Sequence, residues 1–197
     1  VTGVQTCALP ISPLTPQQMK FYNTMKKDML FEADGEEVSA INAASRVNKL
    51  LQIAGGAVYT DNREVVEFDV SSRLKVVREV IEESSHKVLV FVPFKHAIDL
   101  LLNHLRGAGI TCDVISGDVP VTRRTEIFRK FQEDTDPKVL IIQPQSAAHG
   151  VTLTAANVVI WYSPVTSIET YLQANARINR KGQKNSMTVV QIGRAHV

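Results

Sequence analysis

Close to the C-terminal end stands the run Tyr171-Leu172-Gln173-Ala174-Asn175-Ala176-Arg177-Ile178-Asn179-Arg180-Lys181-Gly182-Gln183. At about 100° per residue, a helix here carries Gln173, Arg177 and Arg180 on one stripe and Ile168, Tyr171, Leu172 and Ile178 on the other side. The apolar side is expected to pack, with both guanidiniums pointing outward. A guanidinium fork suits a planar anion with several oxygens, above all a phosphoryl group in transfer. The same pair at a helix end would also serve as a solvated complement to the helix dipole. Which role applies depends on what the rest of the chain brings to the same place. Gly182 is expected to stop the helix, with Gln183 and Lys184 in a polar turn.

This stretch closes a series of alternating elements. From Pro13 to Ile53 the pattern is helical: Pro13 to Gln18 is a capping start, Met19, Tyr22, Met25, Met29 and Leu30 recur at three- and four-residue spacing, and Asp34-Gly35 breaks the run. A second helix is expected from about residue 37 to 53, ended by Gly55-Gly56 and antiparallel to the first. Residues 57–68 predict a short hairpin turning at Asp61-Asn62, and Ser71-Ser72 predicts a cap for a helix carrying Leu74, Val77, Val80 and Ile81. Beyond it, apolar strands at residues 88–92, 112–115, 139–142, 158–162 and 188–192 alternate with helices near 94–106, 121–131 and 167–180. Such alternation predicts an α/β fold, a parallel doubly wound sheet covered on both faces and preceded by a helical pair. In these sheets the loops at the carboxyl ends of the strands do the work. Here they are Phe94-Lys95, Ser116-Gly117-Asp118, Gln143 to Gly150 and Ser163-Pro164, and the arginine helix is expected to begin beside them.

The 197 residues leave room for one sizeable core, or for one domain with a helical appendage. A formal net charge of +2 means that any nucleic-acid surface must be a local patch. Cys7 and Cys112 supply neither a disulfide framework nor metal-ligand spacing, which suits a reducing cytoplasm. No apolar run approaches the roughly 20 residues that span a bilayer, so no membrane partner is expected. Residues 1–12 and 193–197 read like translated sequencing-adapter DNA and are expected to be non-native scars. That leaves residues 13–70 as a helical linker with its hairpin and residues 71–192 as the main domain.

The pattern Q-A-x-x-R-x-x-R-x-G-Q resembles motif VI of superfamily 2 helicases, in the form used by Snf-type DNA translocases. The resemblance runs from about Leu14 to Ile192. Val88-Leu89-Val90-Phe91 with Phe94-Lys95 is similar to motif IV, and Ile115-Ser116-Gly117 with Arg123-Arg124 and Phe128-Arg129-Lys130-Phe131 is similar to the segment before motif V. Ser146 to Ala156 resembles motif V, with Ala147 and Ala148 where the family has glycines. Trp161-Tyr162-Ser163-Pro164 followed by Glu169-Thr170-Tyr171 resembles the Snf-type approach to motif VI, especially in phage and prophage versions.

The resemblance implies the second RecA-like lobe of a DNA-dependent ATPase, working in the cytoplasm of a bacterial or phage-infected cell. ATP would sit between this lobe and a first lobe of the same parent chain. That first lobe supplies the phosphate loop and the acidic motif that holds Mg²⁺. Neither G-x-x-x-x-G-K-S/T nor a D-E-x-H/D box occurs here, so the piece alone is expected to be inactive. Arg177 and Arg180 would be arginine fingers, and Gln173 would orient them or touch the nucleotide beside Gly150. Thr152 and Thr154, with Lys95, Ser116 and Gly117, would contact the backbone of DNA, most simply double-stranded. Two other functions compete: a non-catalytic module that binds nucleic acid or a partner, and, by fold analogy alone, a flavodoxin-like nucleotide-binding domain.

Plainer roles stand beside these. Trp161 at a strand end reads as core, Cys112 as an inert buried thiol, and Arg123, Arg124, Arg129 and Lys130 as the solvated side of a helix. His149 reads as a turn residue satisfied by backbone.

Overall fold

The computed structural model describes residues 5–8, 10, 12–147 and 151–193. The chain opens with β1 (Gln5–Ala8), followed by α1 (Pro16–Asp28). Thr15 and Gln18 cap this helix reciprocally, and Pro16 takes the first helical position, where its missing N–H costs nothing. The helix ends on Met29 in the left-handed region, φ 62°.

Next comes a hairpin that the helical reading of residues 13–53 missed, β2 (Leu30–Ala33) paired antiparallel with β3 (Glu36–Ser39). Asp34 and Gly35 both take positive φ, 53° and 80°, the geometry of the tight turn that matches strand twist. Asp34-Gly35 is therefore the centre of a hairpin and not merely a break between helices. Phe31, Ala33 and Val38 point inward while Leu30 and Glu32 stay exposed, an alternation too short to stand out against the helical periodicity before it.

The second helix, α2 (Ala43–Gly55), starts later than expected because Asn42 and Ser45 form its capping box. Gly56 closes it at φ 113°, and a Cβ there would lie 2.8 Å from Val70 Cγ1, so only glycine fits. The expected hairpin follows as β4 (Ala57–Tyr59) and β5 (Val65–Glu67). Met25, Phe31, Val38, Ile53, Val58 and Phe68 bury one another as the core of this N-terminal subdomain.

The main domain runs α3 (Ser71–Glu83), β6 (Lys87–Phe91), α4 (Lys95–Gly107), β7 (Cys112–Ile115), α5 (Val121–Glu133), β8 (Val139–Ile142), a 3-10 turn at Pro144–Ala147, β9 (Ala156–Trp161), α6 (Ile168–Asn175) and β10 (Met187–Gln191). Ser71 does not cap α3 with its side chain; it is the first helical residue, and its N–H donates to Asp69 Oδ1 at 2.9 Å. The sheet order is β1-β10-β9-β6-β8-β7, parallel throughout. Gln5–Ala8, set aside by the sequence reading, forms its outer strand on β10. Pairing at an open sheet edge asks only for extended backbone.

Successive strand residues face opposite layers. Val88, Val90, Val139, Ile141, Ile160 and Val190 meet α3 and α4, whereas Leu89, Phe91, Leu140, Ile142, Val159, Trp161 and Val189 meet α5 and α6. This two-sided covering is why the strands read as unbroken apolar runs.

The arginine helix differs from expectation. It stops at Asn175, not at Gly182, and continues as tighter turns in which Arg177 N–H donates to Ala174 O (3.1 Å) and Ile178 N–H to Asn175 O (3.2 Å). Asn175 is buried, and its Oδ1 accepts from Trp161 Nε1 at 3.1 Å, while Ile178 is fully enclosed. Ile168 and Leu172, expected to pack, remain 70% and 59% exposed.

Candidate functional site

The residues singled out by sequence fall into two groups at opposite ends of the β8-to-β9 connection. The first gathers at the carboxyl edge of the sheet. Lys95 opens α4, and its ammonium pairs with Asp118, the two side chains being 60% and 65% exposed. The hydrogen bond to Asp118, followed by that carboxylate's charge, raises the lysine above its ordinary pKa.

Ser116 and Gly117 sit beside this pair in a loop fastened from two directions. Arg124 donates from Nε to Val119 O (2.7 Å) and from Nη2 to Ser116 O (3.0 Å) and Gly117 O (3.1 Å). From below, Gln143 Oε1 accepts from Gly117 N–H at 3.1 Å, and its Nε2 donates to Pro93 O at 3.4 Å. Three loop carbonyls taken by one fork leave the loop little freedom. Sequence reasoning put Arg124 on a solvated helix face and passed over the side chain of Gln143. Periodicity describes which side of a helix a residue occupies, and is silent on a long side chain reaching back to the preceding loop.

The second group surrounds the arginine turn. Arg177 O accepts from Leu153 N–H at 3.1 Å, and Arg180 donates from Nε to Ala176 O (3.2 Å) and from Nη1 to Thr152 Oγ1 (3.4 Å). Gln183, read only as a turn residue, anchors the far side: its Nε2 donates to Ala156 O (2.8 Å) and Thr154 O (3.4 Å). Thr154 Oγ1 accepts from Gln132 Nε2 at 3.1 Å. Because Ala156 is the first residue of β9, this turn lies at the amino end of the strand and not at the carboxyl edge with Lys95.

Thr152 and Thr154, grouped with Lys95, Ser116 and Gly117 by sequence, thus stand with the arginines instead. Gln173 is exposed on α6 and donates to Glu169 Oε1 at 2.8 Å. Gly150 and His149 lie outside the described residues.

Arg177 is half-buried, with no carboxylate within 4.0 Å among the described residues and its Nε enclosed without a hydrogen-bond partner. Burial first, and the charge of nearby Arg180 second, draw it below the usual guanidinium range. Two cations held close together, with the Arg177 Nε enclosed and unpartnered, make a locus that gains from an incoming anion.

The plainer readings hold elsewhere. Trp161 is wholly enclosed, stacked on Phe91 at 4.7 Å. The Cys112 thiol is pushed up by burial to about 11. Arg123 and Arg129 pair along α5 with Glu126 (2.6 Å) and Glu133 (3.0 Å), and Lys130 reaches Asp113 at 3.8 Å. Among the described residues, no three His, Cys, Asp or Glu side chains group as a metal site, and no helix is long and apolar enough to cross a membrane.

His96 ties the two subdomains together: buried, it meets the Tyr59 ring edge-on at 5.0 Å and lies parallel to Phe94 at 5.9 Å. Burial lowers its pKa to about 4, with the Ala57 carbonyl and Asp99 pulling the other way. A histidine with a lower pKa in the folded state takes up its proton more readily unfolded. Stability is therefore complete above about pH 6.5, falls as pH drops from there towards 4, and levels off below, a loss on the order of 3 kcal/mol. Urea midpoints at pH 7 and 4.5 should show this fall, and His96→Phe should reduce it; an equal fall in both proteins would assign it to other groups.

The sequence profile of the helicase conserved C-terminal domain matches residues 72–182. The chain is 29% identical over 183 residues to an uncharacterized ATP-dependent helicase of Mycoplasma genitalium, covering 91% of this chain and 18% of that protein. It is 28% identical over 167 residues to a protein of Acyrthosiphon pisum secondary endosymbiont phage 1, covering 80% and 32%. The chain thus spans less than a third of the length of these curated relatives. Among solved structures, the C-terminal part of the Fun30 ATPase domain superposes with TM-score 0.72 at 18% identity, covering 96% of this chain and 85% of that one. The Sulfolobus solfataricus SWI2/SNF2 ATPase core in complex with dsDNA gives TM-score 0.66 at 22% identity, with 95% and 40% covered.

Proposed function

Since the chain belongs to the helicase conserved C-terminal domain family, we propose that it is the second motor lobe of a Snf-type, ATP-driven DNA translocase. ATP and Mg²⁺ would be held on a first lobe of the parent chain. Arg177 and Arg180 would meet the γ-phosphoryl group from this side, and Lys95, Ser116 and Gly117 would meet the DNA backbone.

The observation that carries this reading is the connection from β8 to β9. At one end Gln143 holds the loops of Lys95 and Gly117; at the other, Thr152 and Leu153 are bonded to the arginine turn. One segment thus touches both groups, as a motor needs if nucleotide state is to move its grip on the track. Backbone contacts of this kind carry no base information, which suits movement along any sequence. What the residues themselves would do is place positive charge where phosphoryl charge develops and hold phosphate oxygens through hydroxyl and ammonium donors.

Joined in one chain to a first lobe carrying a phosphate loop and an acidic box, the protein should hydrolyse ATP faster in the presence of duplex DNA. The 197-residue chain by itself should show no turnover. ATP hydrolysis by that chain alone, or joined-chain turnover indifferent to DNA, would sink the proposal.

A further inference from the structure

Lys95 is the cation best placed to meet a phosphate at the carboxyl edge, yet it is already engaged by Asp118. The pair bridges the loop after β6 and the loop after β7, and Gln143, at the end of β8 between them, bridges the same two loops through Pro93 and Gly117. Arg124 holds the second loop independently through three carbonyls. The ion pair is therefore redundant as a fastening: the loops are kept in place without it. As an exposed pair it also adds little to stability. Its consequence is electrostatic, because a carboxylate stands on the ammonium where a phosphate oxygen would have to come.

We infer that Asp118 is an internal competitor of backbone phosphate for Lys95, a residue that sets how tightly this edge grips DNA. The inference rests on the nucleic-acid reading proposed above. With the edge empty, Asp118 holds the ammonium; on the track, a phosphate takes its place and the carboxylate turns to solvent. Because each displacement must undo the internal pair, the grip stays weak enough to be released at every step of movement.

The test measures binding of a short duplex DNA by fluorescence anisotropy across a potassium chloride series, with the full 197-residue chain, D118N, K95Q and the double variant. D118N should bind about 2- to 5-fold tighter than the parent sequence. K95Q should bind more weakly, with a salt slope shallower by about one. In the K95Q background D118N should add nothing, since there is no ammonium left to release. Equal tightening by D118N with or without Lys95 would show a general charge effect and overturn the inference, as would unchanged affinity in D118N. If the parent chain binds duplex DNA at no salt concentration, the nucleic-acid reading itself fails and takes this inference with it. Matching thermal unfolding of D118N and the parent sequence shows that the loop has kept its fastening.

Discussion

Arg180→Ala, in a chain that joins this lobe to its partner lobe, should lower DNA-stimulated ATP turnover by about 10³- to 10⁵-fold. A guanidinium that reaches a phosphoryl group in flight acts on charge that is absent from the ground state, so the loss should appear in kcat and hardly in KM. Arg180→Lys should restore little, because a single ammonium does not reproduce a planar fork. In this structure Arg180 bonds, among other contacts, to Ala176 O and Thr152 Oγ1, so urea unfolding of the variant beside the parent separates a catalytic loss from a displaced turn. Arg177→Ala should match the catalytic loss and cost some packing too, since the Arg177 Nε is enclosed. Single-turnover hydrolysis measured with saturating DNA decides the matter. Turnover within about ten-fold of the parent for Arg180→Ala would remove the arginine-finger assignment.

The largest effect on stability should come from Trp161→Ala, about 3–5 kcal/mol by urea unfolding. Trp161 has no exposed surface; it stacks on Phe91, meets Tyr171 at 4.9 Å, and donates its indole N–H to the buried Asn175. Alanine would open a cavity between sheet and α6 and leave the Asn175 oxygen without its donor. Trp161→Phe should recover most of the packing but not the hydrogen bond, with a loss nearer 1–2 kcal/mol. Asn175 is where α6 gives way to the arginine turn, so even this mild variant should weaken the placement of Arg177 and Arg180. A loss below about 1 kcal/mol for the alanine variant would contradict the core role given to this ring.

The two predictions meet at a boundary that sequence periodicity could not place. A helical stripe from Gln173 to Arg180 is a sound expectation from spacing, but it takes no account of what Asn175 and Ile178 must reach. The structure ends the helix at Asn175, whose side chain accepts from the Trp161 indole, and carries Ile178 inside on the tighter turns that follow. The hairpin at Asp34-Gly35 shows the same limit on a smaller scale. Its strands are four residues each, and the helical spacing of Met19 to Leu30 outweighs so brief an alternation.

What the amino-acid order determined alone was the parallel sheet and its covering. Runs such as Val139–Ile142 and residues 158–161 are apolar on both faces, which only a two-sided burial explains. The arginine pair and the strand-end loops were equally legible, because charge, turn residues and spacing are local properties. Tertiary structure decided the rest: that Thr152 and Thr154 stand with the arginines, that Arg124 and Gln143 fasten the Ser116-Gly117 loop, and that Asp118 faces Lys95. Each of these joins residues from separate elements through long side chains or crossing loops. Such meetings depend on how strands are ordered across the sheet, and no local periodicity carries that order.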